Sequence, residues 1–256
     1  MKIWRSFGES VSNPGDSEEG NYDDNYKRHV DNRLQYLRKT QNYQQGLDAP
    51  ITRAEIFRAL RKIKTGKAPG VDGILTSILK PAADAVGTND VDDYNPVVDS
   101  LKLLFNFILT NEVWPSRWAE GIIFPLYKNT GSRLDPSNYR PITLLSTVGK
   151  LFGSIIENRL STWSENEATL ADEQGGFRRG RGTSDLIFLL REIILNRKAH
   201  RLPTLVTFID VKKAYDTVWR EGNYVRLYDL GVRGKLWRQL QVMNSDPKSK
   251  YRLPFW

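Results

Sequence analysis

Cysteine is absent from this 256-residue chain, and histidine occurs only at His29 and His200. The absence of cysteine excludes disulfides and thiolate metal sites, and it fits a reducing compartment. Two histidines are too few to favour a histidine-based zinc site or a Ser/His/Asp triad. Any catalysis must therefore depend on carboxylates, lysine, arginine, tyrosine or a bound metal.

Long apolar runs are missing as well. No stretch reaches the roughly 18 apolar residues that suggest a membrane span, and the first residues lack the apolar core of a secretory signal. We therefore expect an intracellular protein of the cytoplasm or nucleus, with no membrane partner. A composition of 39% hydrophobic and 27% charged residues is that of a globular chain able to bury a core.

The charge of the chain is strongly positive. The formal net charge is +8 and the sequence pI is about 9.5. A basic balance favours polyanionic partners, nucleic acid first, although many soluble proteins are as basic without a specific partner. The positive charge clusters at residues 58–67 and 178–181, whereas residues 16–24 are acidic.

The N-terminal residues 1–46 are polar and mostly without periodicity, which predicts a flexible linker or tail. Within them, residues 26–43 favour a polar helix, because Val30, Leu34 and Leu37 fall at helical spacing. Further along, apolar periodicity predicts amphipathic helices over 97–113, 146–163 and 185–200, the last capped by Thr183.

A basic loop, Lys64–Ile74, follows a predicted helix that begins with the capping box Thr52 and Glu55. The loop contains glycines and Lys67 but lacks the spacing of a nucleotide P-loop, and no strand precedes it. It is either a loop that contacts a phosphate backbone or a plain connector between helices.

A hairpin is predicted from the extended segments Gly121–Lys128 and Tyr139–Ile142, with Pro125 at an edge or bulge. Lys128 and Arg140 then stand on opposite arms. Two such cations suit a triphosphate clamp, although solvent-exposed hairpin charges are a fair alternative.

A second basic loop spans Gln174–Thr183. Its glycines allow close approach to a phosphate chain, while Phe177 can stack or anchor the loop. The three cations suited to phosphate contact are Arg178, Arg179 and Arg181.

The apolar run Leu205–Ile209 predicts a buried strand that presents Asp210 at its carboxyl end. A carboxylate on a rigid strand end suits a divalent cation, which prefers hard oxygen ligands. The alternative is a surface aspartate that caps the next turn. Tyr215 and Asp216 follow, in a stretch expected to be helical from 212 to 219.

Five sequence blocks occur in an order that resembles the reverse transcriptase domain of non-LTR (LINE-like) retrotransposons. The blocks are Gly66–Ile74, Ile123–Lys128, Asn138–Ser146 with Lys150–Phe152 and Asn158–Leu160, Gln174–Thr183, and Phe208–Val218 with Leu230–Val232. The resemblance runs from about Leu47 nearly to the last residue.

The resemblance implies an α+β right-hand polymerase, mostly helical with short antiparallel strands. Residues 47–200 would form the fingers and proximal palm, and residues 201–256 would begin the palm with its first catalytic strand. Residues 1–46 would lie between endonuclease and polymerase domains. The implied activity is RNA-directed DNA polymerase, a nucleotidyltransferase acting on an RNA template, a DNA primer and deoxynucleoside triphosphates.

The resemblance also implies roles for individual residues. Asp210, with the Val211 carbonyl, would bind Mg²⁺ (or Mn²⁺), and Tyr215 would lie under the incoming sugar and exclude a 2′-hydroxyl. Lys128 and Arg140 would contact the triphosphate. The residues that would hold the template are Lys67, Gln174, Phe177, Arg178, Arg179 and Arg181.

The sequence departs from the family pattern in one important respect. No aromatic-x-Asp-Asp block follows Asp216, and the glycine-rich block before it and the thumb are also absent. A two-metal centre needs two or three carboxylates, of which Asp210 is one. We therefore expect a truncated piece with an incomplete palm, an exposed sheet edge and no activity alone. Gly175 and Arg179 also differ from the usual residues.

Two further interpretations remain open at this stage. The chain could be a non-catalytic nucleic-acid-binding remnant, in which case binding depends on the basic loops and not on Asp210. It could also be the product of a decayed reading frame that folds poorly, since an incomplete domain buries less apolar surface.

Overall fold

The computed structural model describes residues 23–40, 42–84, 94–211, 214, 218–245 and 248–251. Its helices are α1 (Asp24–Arg38), α2 (Arg53–Lys62), α3 (Thr76–Leu79), α4 (Pro81–Asp84), α5 (Pro96–Asn111), α6 (Thr147–Asn166), α7 (Thr183–Ala199), α8 (Arg220–Asp229) and α9 (Gly234–Met243). Its strands are β1 (Glu120–Tyr127), β2 (Tyr139–Leu144) and β3 (Lys248–Tyr251). No helix in these ranges is long and apolar enough to cross a membrane.

The chain divides into two compact units. The larger unit comprises Met1–Arg159 and Asp216–Trp256, and the smaller unit comprises Leu160–Tyr215. The boundaries predicted after residues 46 and 200 do not coincide with this division.

Helix α1 corrects the prediction of a flexible linker for residues 24–38. The predicted spacing is confirmed, because Val30, Leu34 and Leu37 are all buried. The helix lies against α8, where Arg33 forms an ion pair with Asp229 at 2.6 Å. An apolar stripe of three residues is enough to dock a helix that is otherwise polar. Residues 1–22 lie outside the described part of the chain.

The centre of the larger unit is an aromatic cluster between α5 and α6. The Phe105 and Phe152 rings meet edge to face with centroids 5.4 Å apart. The ring centre of Trp118 lies 6.4 Å from that of Phe105 and 5.1 Å from that of Trp114. Edge-to-face pairs of this kind add to the stabilisation that burial itself provides.

The predicted hairpin is confirmed by the antiparallel pairing of β1 with β2. The Lys128 N–H donates to the Asn138 carbonyl at 2.8 Å, and the alternation of antiparallel pairs then places Pro125 opposite Pro141 in a non-hydrogen-bonded pair. Two residues without an N–H therefore interrupt no bond between these strands.

The third strand was not expected, and it runs parallel to β1. Strand β3 pairs with residues 120–123 only, so Pro125 lies beyond this pairing, on an edge portion of β1 as predicted. A parallel neighbour is possible because a long connection with helices separates β1 from β3.

Arg159 on α6 ties three segments of the larger unit together. Its guanidinium makes a bidentate pair with Glu55, with Nε to Oε1 at 2.6 Å and Nη2 to Oε2 at 2.9 Å. It also donates to the carbonyls of Leu47, Ala49 and Pro50. Glu55 completes the predicted capping box with Thr52. Burial raises the pKa of Glu55, but the Arg159 and Thr52 hydrogen bonds outweigh this and hold it below the ordinary 4.5.

The smaller unit carries α7 and the segment that leads to Asp210. Helix α7 begins after Gly182, whose N–H donates to the Asp185 carboxylate at 2.8 Å, so Thr183 is not the cap that was predicted. The Asp185 carboxylate thus accepts the N–H of the capping residue, as the acidic member of a capping box does, whereas Gly182 has no side chain that could accept a helix N–H.

The predicted buried strand over residues 205–209 is wrong for this structure. Residues 202–210 have no regular secondary structure, and Leu205, Phe208 and Ile209 are between 84% and 97% exposed. An apolar run becomes a strand only where another strand accepts its hydrogen bonds, and none in the described residues does so. The predicted helix over 212–219 lies mostly outside those residues.

Replacing Arg159 by methionine should destabilise the chain by about 3 kcal/mol, because Glu55 and three carbonyls lose their partner inside the fold. Urea denaturation at neutral pH measures this difference. The matched control is Arg58→Met on exposed helix surface, which should change stability by less than about 0.5 kcal/mol. Equal effects of the two substitutions would contradict the role given to Arg159.

Acid should remove the stabilisation that Glu55 provides. Since its folded pKa is depressed, the contribution is present above the ordinary pKa of about 4.5 and is lost as the pH falls through the folded value. The stability difference between the wild type and Glu55→Gln should therefore shrink between about pH 5 and pH 3. Urea titrations of both proteins across this range test it, and a difference that grows with acid would have the wrong sign.

Candidate nucleic-acid interface

The basic loop Lys64–Ile74 is held against the start of α6. The Ser146 hydroxyl donates to the Asp72 carboxylate at 2.5 Å, and the Thr147 hydroxyl donates to the Ile74 carbonyl at 2.6 Å. The Ser146 oxygen also accepts the Gly149 N–H at 3.0 Å. These bonds join two of the sequence blocks, Gly66–Ile74 and Asn138–Ser146, into one structure.

Gly70 makes this contact possible. A Cβ atom at this position would lie 2.4 Å from the Leu145 carbonyl carbon and 2.6 Å from the Ser146 nitrogen. Both are backbone atoms, so any side chain here would push the loop away from α6. The requirement for glycine comes from close approach of two backbones, as in loops that lie against a phosphate chain.

Lys67 lies on the exposed side of this loop. Its ammonium has no hydrogen bond or ion pair with the part of the chain that the structure describes. An unpaired cation on a loop that is anchored by Gly70 and Asp72 is held in place without being neutralised. This arrangement suits contact with a phosphate backbone.

The hairpin brings Lys128 and Arg140 to one face of the β1–β2 pair. Leu126 is paired with Arg140, and residues at intervals of two share a face, so Lys128 and Arg140 are diagonal neighbours. The Lys128 ammonium donates to the Ser137 carbonyl at 2.8 Å, which leaves two further donors. Arg140 is exposed.

Sequence reasoning missed Arg133 in the hairpin turn. Its guanidinium carbon lies 5.2 Å from the centre of the Tyr127 ring, and its carbonyl accepts the Tyr139 hydroxyl at 3.0 Å. The two tyrosine rings are themselves 5.3 Å apart. A basic turn residue between two paired tyrosines was the signal that could have identified this cation.

In the smaller unit, Arg178 is committed to an internal contact. Its guanidinium binds both Glu165 oxygens, at 2.9 and 2.7 Å, and the Ala171 carbonyl at 2.9 Å, and its side chain is only 8% exposed. The shared hydrogen bonds lower the pKa of Glu165 and raise the pKa of Arg178. Arg178 therefore holds the loop instead of presenting a cation.

The other residues of this loop differ in how available their side chains are for contact with a ligand. Phe177 is 94% exposed, so its ring is open to solvent, and its backbone adopts a positive φ of 62°. Arg181 pairs with the exposed Asp172, Arg179 also has an interaction partner, and the Gln174 amide donates to the Gly176 carbonyl at 3.2 Å.

The unusual glycine at position 175 has a local explanation. A Cβ atom there would lie 2.7 Å from the Leu186 side chain. Leu186 occupies the space that an aromatic or aliphatic residue would need at position 175.

The metal ligand predicted from the sequence, Asp210, belongs to no cluster of potential metal ligands among the described residues. Asp210 is exposed in a segment without regular structure, and Val211 is 64% exposed. Among the described residues, no three His, Cys, Asp or Glu side chains come close enough to hold a metal ion. Tyr215 and Asp216 lie outside those residues. The described part of the chain therefore does not fit a two-metal centre, which needs converging carboxylates.

Comparisons with known proteins agree with the sequence blocks. The family model described as reverse transcriptase (RNA-dependent DNA polymerase) matches residues 127–256. The chain is 29% identical over 213 residues to the probable RNA-directed DNA polymerase from transposon BS of Drosophila melanogaster, a match that covers 77% of this chain and 22% of that protein.

Two further relatives come from other elements. The RNA-directed DNA polymerase from mobile element jockey of Drosophila melanogaster is 26% identical over 172 residues, covering 67% of this chain and 18% of that protein. The retrovirus-related Pol polyprotein from type-1 retrotransposable element R2 of Popillia japonica is 30% identical over 186 residues, covering 72% and 23%. The chain thus spans about a fifth of the length of these relatives.

These matches confirm the resemblance to the reverse transcriptases of non-LTR retrotransposons. The family match includes the hairpin arm at Tyr127, the loop that Arg178 fastens, and Asp210, and it takes in half of the sequence. The chain belongs to the reverse transcriptase (RNA-dependent DNA polymerase) family.

Proposed function

We propose that this chain forms the fingers and the beginning of the palm of a right-hand RNA-directed DNA polymerase. Such an enzyme extends a DNA primer with deoxynucleoside triphosphates on an RNA template. The observation that carries the proposal is the loop Lys64–Ile74, which α6 holds rigidly while Lys67 stays exposed and unpaired among the described residues.

The larger unit contributes two groups of contacts in this proposal. Lys67 binds a phosphate of the template strand, and the glycines beside it let the strand approach the loop backbone. Lys128 and Arg140 bind the triphosphate, because they share one face of the hairpin and retain free N–H donors. Arg133, which lies over Tyr127 on the opposite face of the hairpin, adds positive charge near the turn.

The smaller unit contributes template contacts through Gln174, Phe177, Arg179 and Arg181. The Phe177 ring is exposed enough to stack on a base. Arg178 positions this loop through Glu165, so its contribution to binding is indirect.

The catalytic part of the proposal is limited by what surrounds Asp210. Mg²⁺ or Mn²⁺ would be bound by Asp210 and the Val211 carbonyl only together with carboxylates that the described residues do not supply. When bound, such ions would activate the attacking 3′-oxygen and stabilise the leaving pyrophosphate. We assign no catalytic step to the described residues, and Tyr215 keeps only its proposed role against the 2′-hydroxyl.

A second candidate function is nucleic-acid binding without synthesis. The exposed, isolated Asp210 favours it, since binding by the basic loops needs no metal centre. The two candidates share the loop contacts and differ in whether Asp210 matters.

Replacing Lys67 by glutamine should weaken binding of an RNA–DNA primer–template hybrid and make the salt dependence of log K shallower by roughly one unit, because one phosphate contact is lost. Fluorescence anisotropy across a salt titration measures both quantities. Lys102→Gln, at an exposed position on α5, removes the same charge and should change neither. Identical slopes for the two variants would remove Lys67 from the interface.

Asp210→Asn should bind the same hybrid as tightly as the wild type or slightly more tightly, since it removes a negative charge near the nucleic acid. In primer extension with Mg²⁺, we expect the purified 256-residue chain to synthesise no DNA, because Asp210 has no converging cluster of metal ligands among the described residues. Template-directed synthesis that Asp210→Asn abolishes would contradict this and would establish catalysis by the chain itself.

A further inference from the structure

A cleft of about 670 Å³ lies in the larger unit, between the end of α1, the residues after it, the end of α5 and the start of α9. Four cations line it, Arg38, Lys39, Lys235 and Arg238, together with one carboxylate, Glu112. None of these residues belongs to the loop Lys64–Ile74 or to the hairpin, and none has a role in the proposed polymerase.

One of the four cations is neutralised and forms the wall of the cleft. The Arg238 guanidinium binds both Glu112 oxygens at 2.7 to 2.9 Å and donates to the Thr40 carbonyl at 3.2 Å. This pairing raises the pKa of Arg238, so the residue stays charged. A charge-assisted, bidentate pair of this kind fixes geometry as well as charge.

Asp48, a second carboxylate that acts on Arg238, also has hydrogen-bond partners of its own. Asp48 acts electrostatically on Arg238, but its own oxygens accept the Gln44 and Leu236 N–H groups, both at 2.8 Å. The cleft itself is lined by four cations and one carboxylate, which leaves an excess of positive charge.

The excess charge belongs to Arg38, Lys39 and Lys235. Arg38 donates through Nε to the Gln241 side chain at 2.8 Å, and this orients its guanidinium and leaves its terminal N–H groups available. The ammonium groups of Lys39 and Lys235 have no hydrogen bond or ion pair within the described residues. Three cations without a carboxylate partner at one cleft repel one another unless an anion lies between them.

The walls of the cleft are rigid, although they come from distant parts of the sequence. Helix α1 is held by the burial of Val30, Leu34 and Leu37, and Asn42 is bonded to the Tyr228 hydroxyl at 2.6 Å. The Gln239 amide donates to the Val113 carbonyl at 3.0 Å, next to Glu112. The segments that carry the cations are therefore held in place, which favours ligand binding.

We propose that this cleft binds phosphate groups of a nucleic-acid strand, at a site separate from the template contacts of the loops. Arg38 supplies planar N–H donors, and Lys39 and Lys235 supply point charges that suit a phosphodiester. Tyr43, which also lines the cleft and is 65% exposed, offers a ring on which a base can stack. The volume exceeds what one phosphate fills, as expected for a continuous strand.

The test compares K39Q/K235Q with the wild type in binding a fluorescein-labelled single-stranded RNA of mixed sequence. Loss of two phosphate contacts should lower the affinity roughly tenfold at about 0.1 M salt and make the salt slope shallower by about 1.4 units. Neither lysine side chain has a hydrogen bond or ion pair within the described residues, so the urea midpoint should not change. The single variant K39E provides an independent test. Because it reverses one charge, it should show a similar loss of affinity.

The control K102Q/K198Q removes the same charge from two exposed helix positions and should bind as the wild type does. The loss caused by K39Q/K235Q should also persist in a Lys67→Gln background, since the cleft acts independently of the loop.

Inorganic phosphate, added at constant ionic strength, distinguishes the ligand source. Failure to displace RNA supports a phosphodiester strand, and displacement that K39Q/K235Q abolishes supports a free phosphate as ligand of the same site. Equal RNA and phosphate binding by K39Q/K235Q and K102Q/K198Q would overturn the proposal.

Discussion

All five N–H donors of the Arg159 guanidinium are hydrogen bonded, two to Glu55 and three to the carbonyls of Leu47, Ala49 and Pro50. This buried contact fixes α6 against the beginning of α2. The loop Lys64–Ile74 leaves the end of α2, and the start of α6 holds its other end through Ser146 and Thr147. The loop that carries Lys67 is thus held at both ends. The ion pair of Arg159 and Glu55, which lies outside the proposed interface, fixes the two helices that hold it. An arginine suits this place better than a lysine, because only its planar fork satisfies a carboxylate and several carbonyls together.

The parts of the fold that could be predicted from the sequence are those specified by residues close together in the chain. The capping box of Thr52 and Glu55, the long amphipathic helices and the hairpin depend on residues close in sequence, and all of them formed as expected. Docking of α1 was missed because only three apolar residues mark it on a polar segment. The strand expected over residues 205–209 failed for the opposite reason. Its apolar run is strong, but a strand exists only where a partner pairs with it, and that partner cannot be read from the run itself.

In the candidate site, the sequence predicts which residues are cations, but the contacts in the fold decide which of them are available for binding. The sequence presents Arg178, Arg181 and Lys67 as equivalent cations in basic, glycine-containing loops. In the structure Arg178 is buried against Glu165, Arg181 pairs with an exposed aspartate, and Lys67 alone of the three is unpaired within the described residues. Whether a cation stabilises its own loop or is available to bind a phosphate depends on where the fold places a carboxylate. The same distinction identified the cleft of Arg38, Lys39 and Lys235, which no sequence block marks.

Amide hydrogen exchange on the chain, free and bound to an RNA–DNA primer–template hybrid, tests the central claim most directly. The claim is that the nucleic-acid contacts lie on a rigid scaffold, whereas Asp210 lies on a segment without strand pairing. It predicts slow exchange in α2 and α6, added protection of residues 64–74 in the complex, and fast exchange of residues 204–211 in both states. Residues 204–211 protected as strongly as α6 in the free chain, or a loop unaffected by the hybrid, would contradict it.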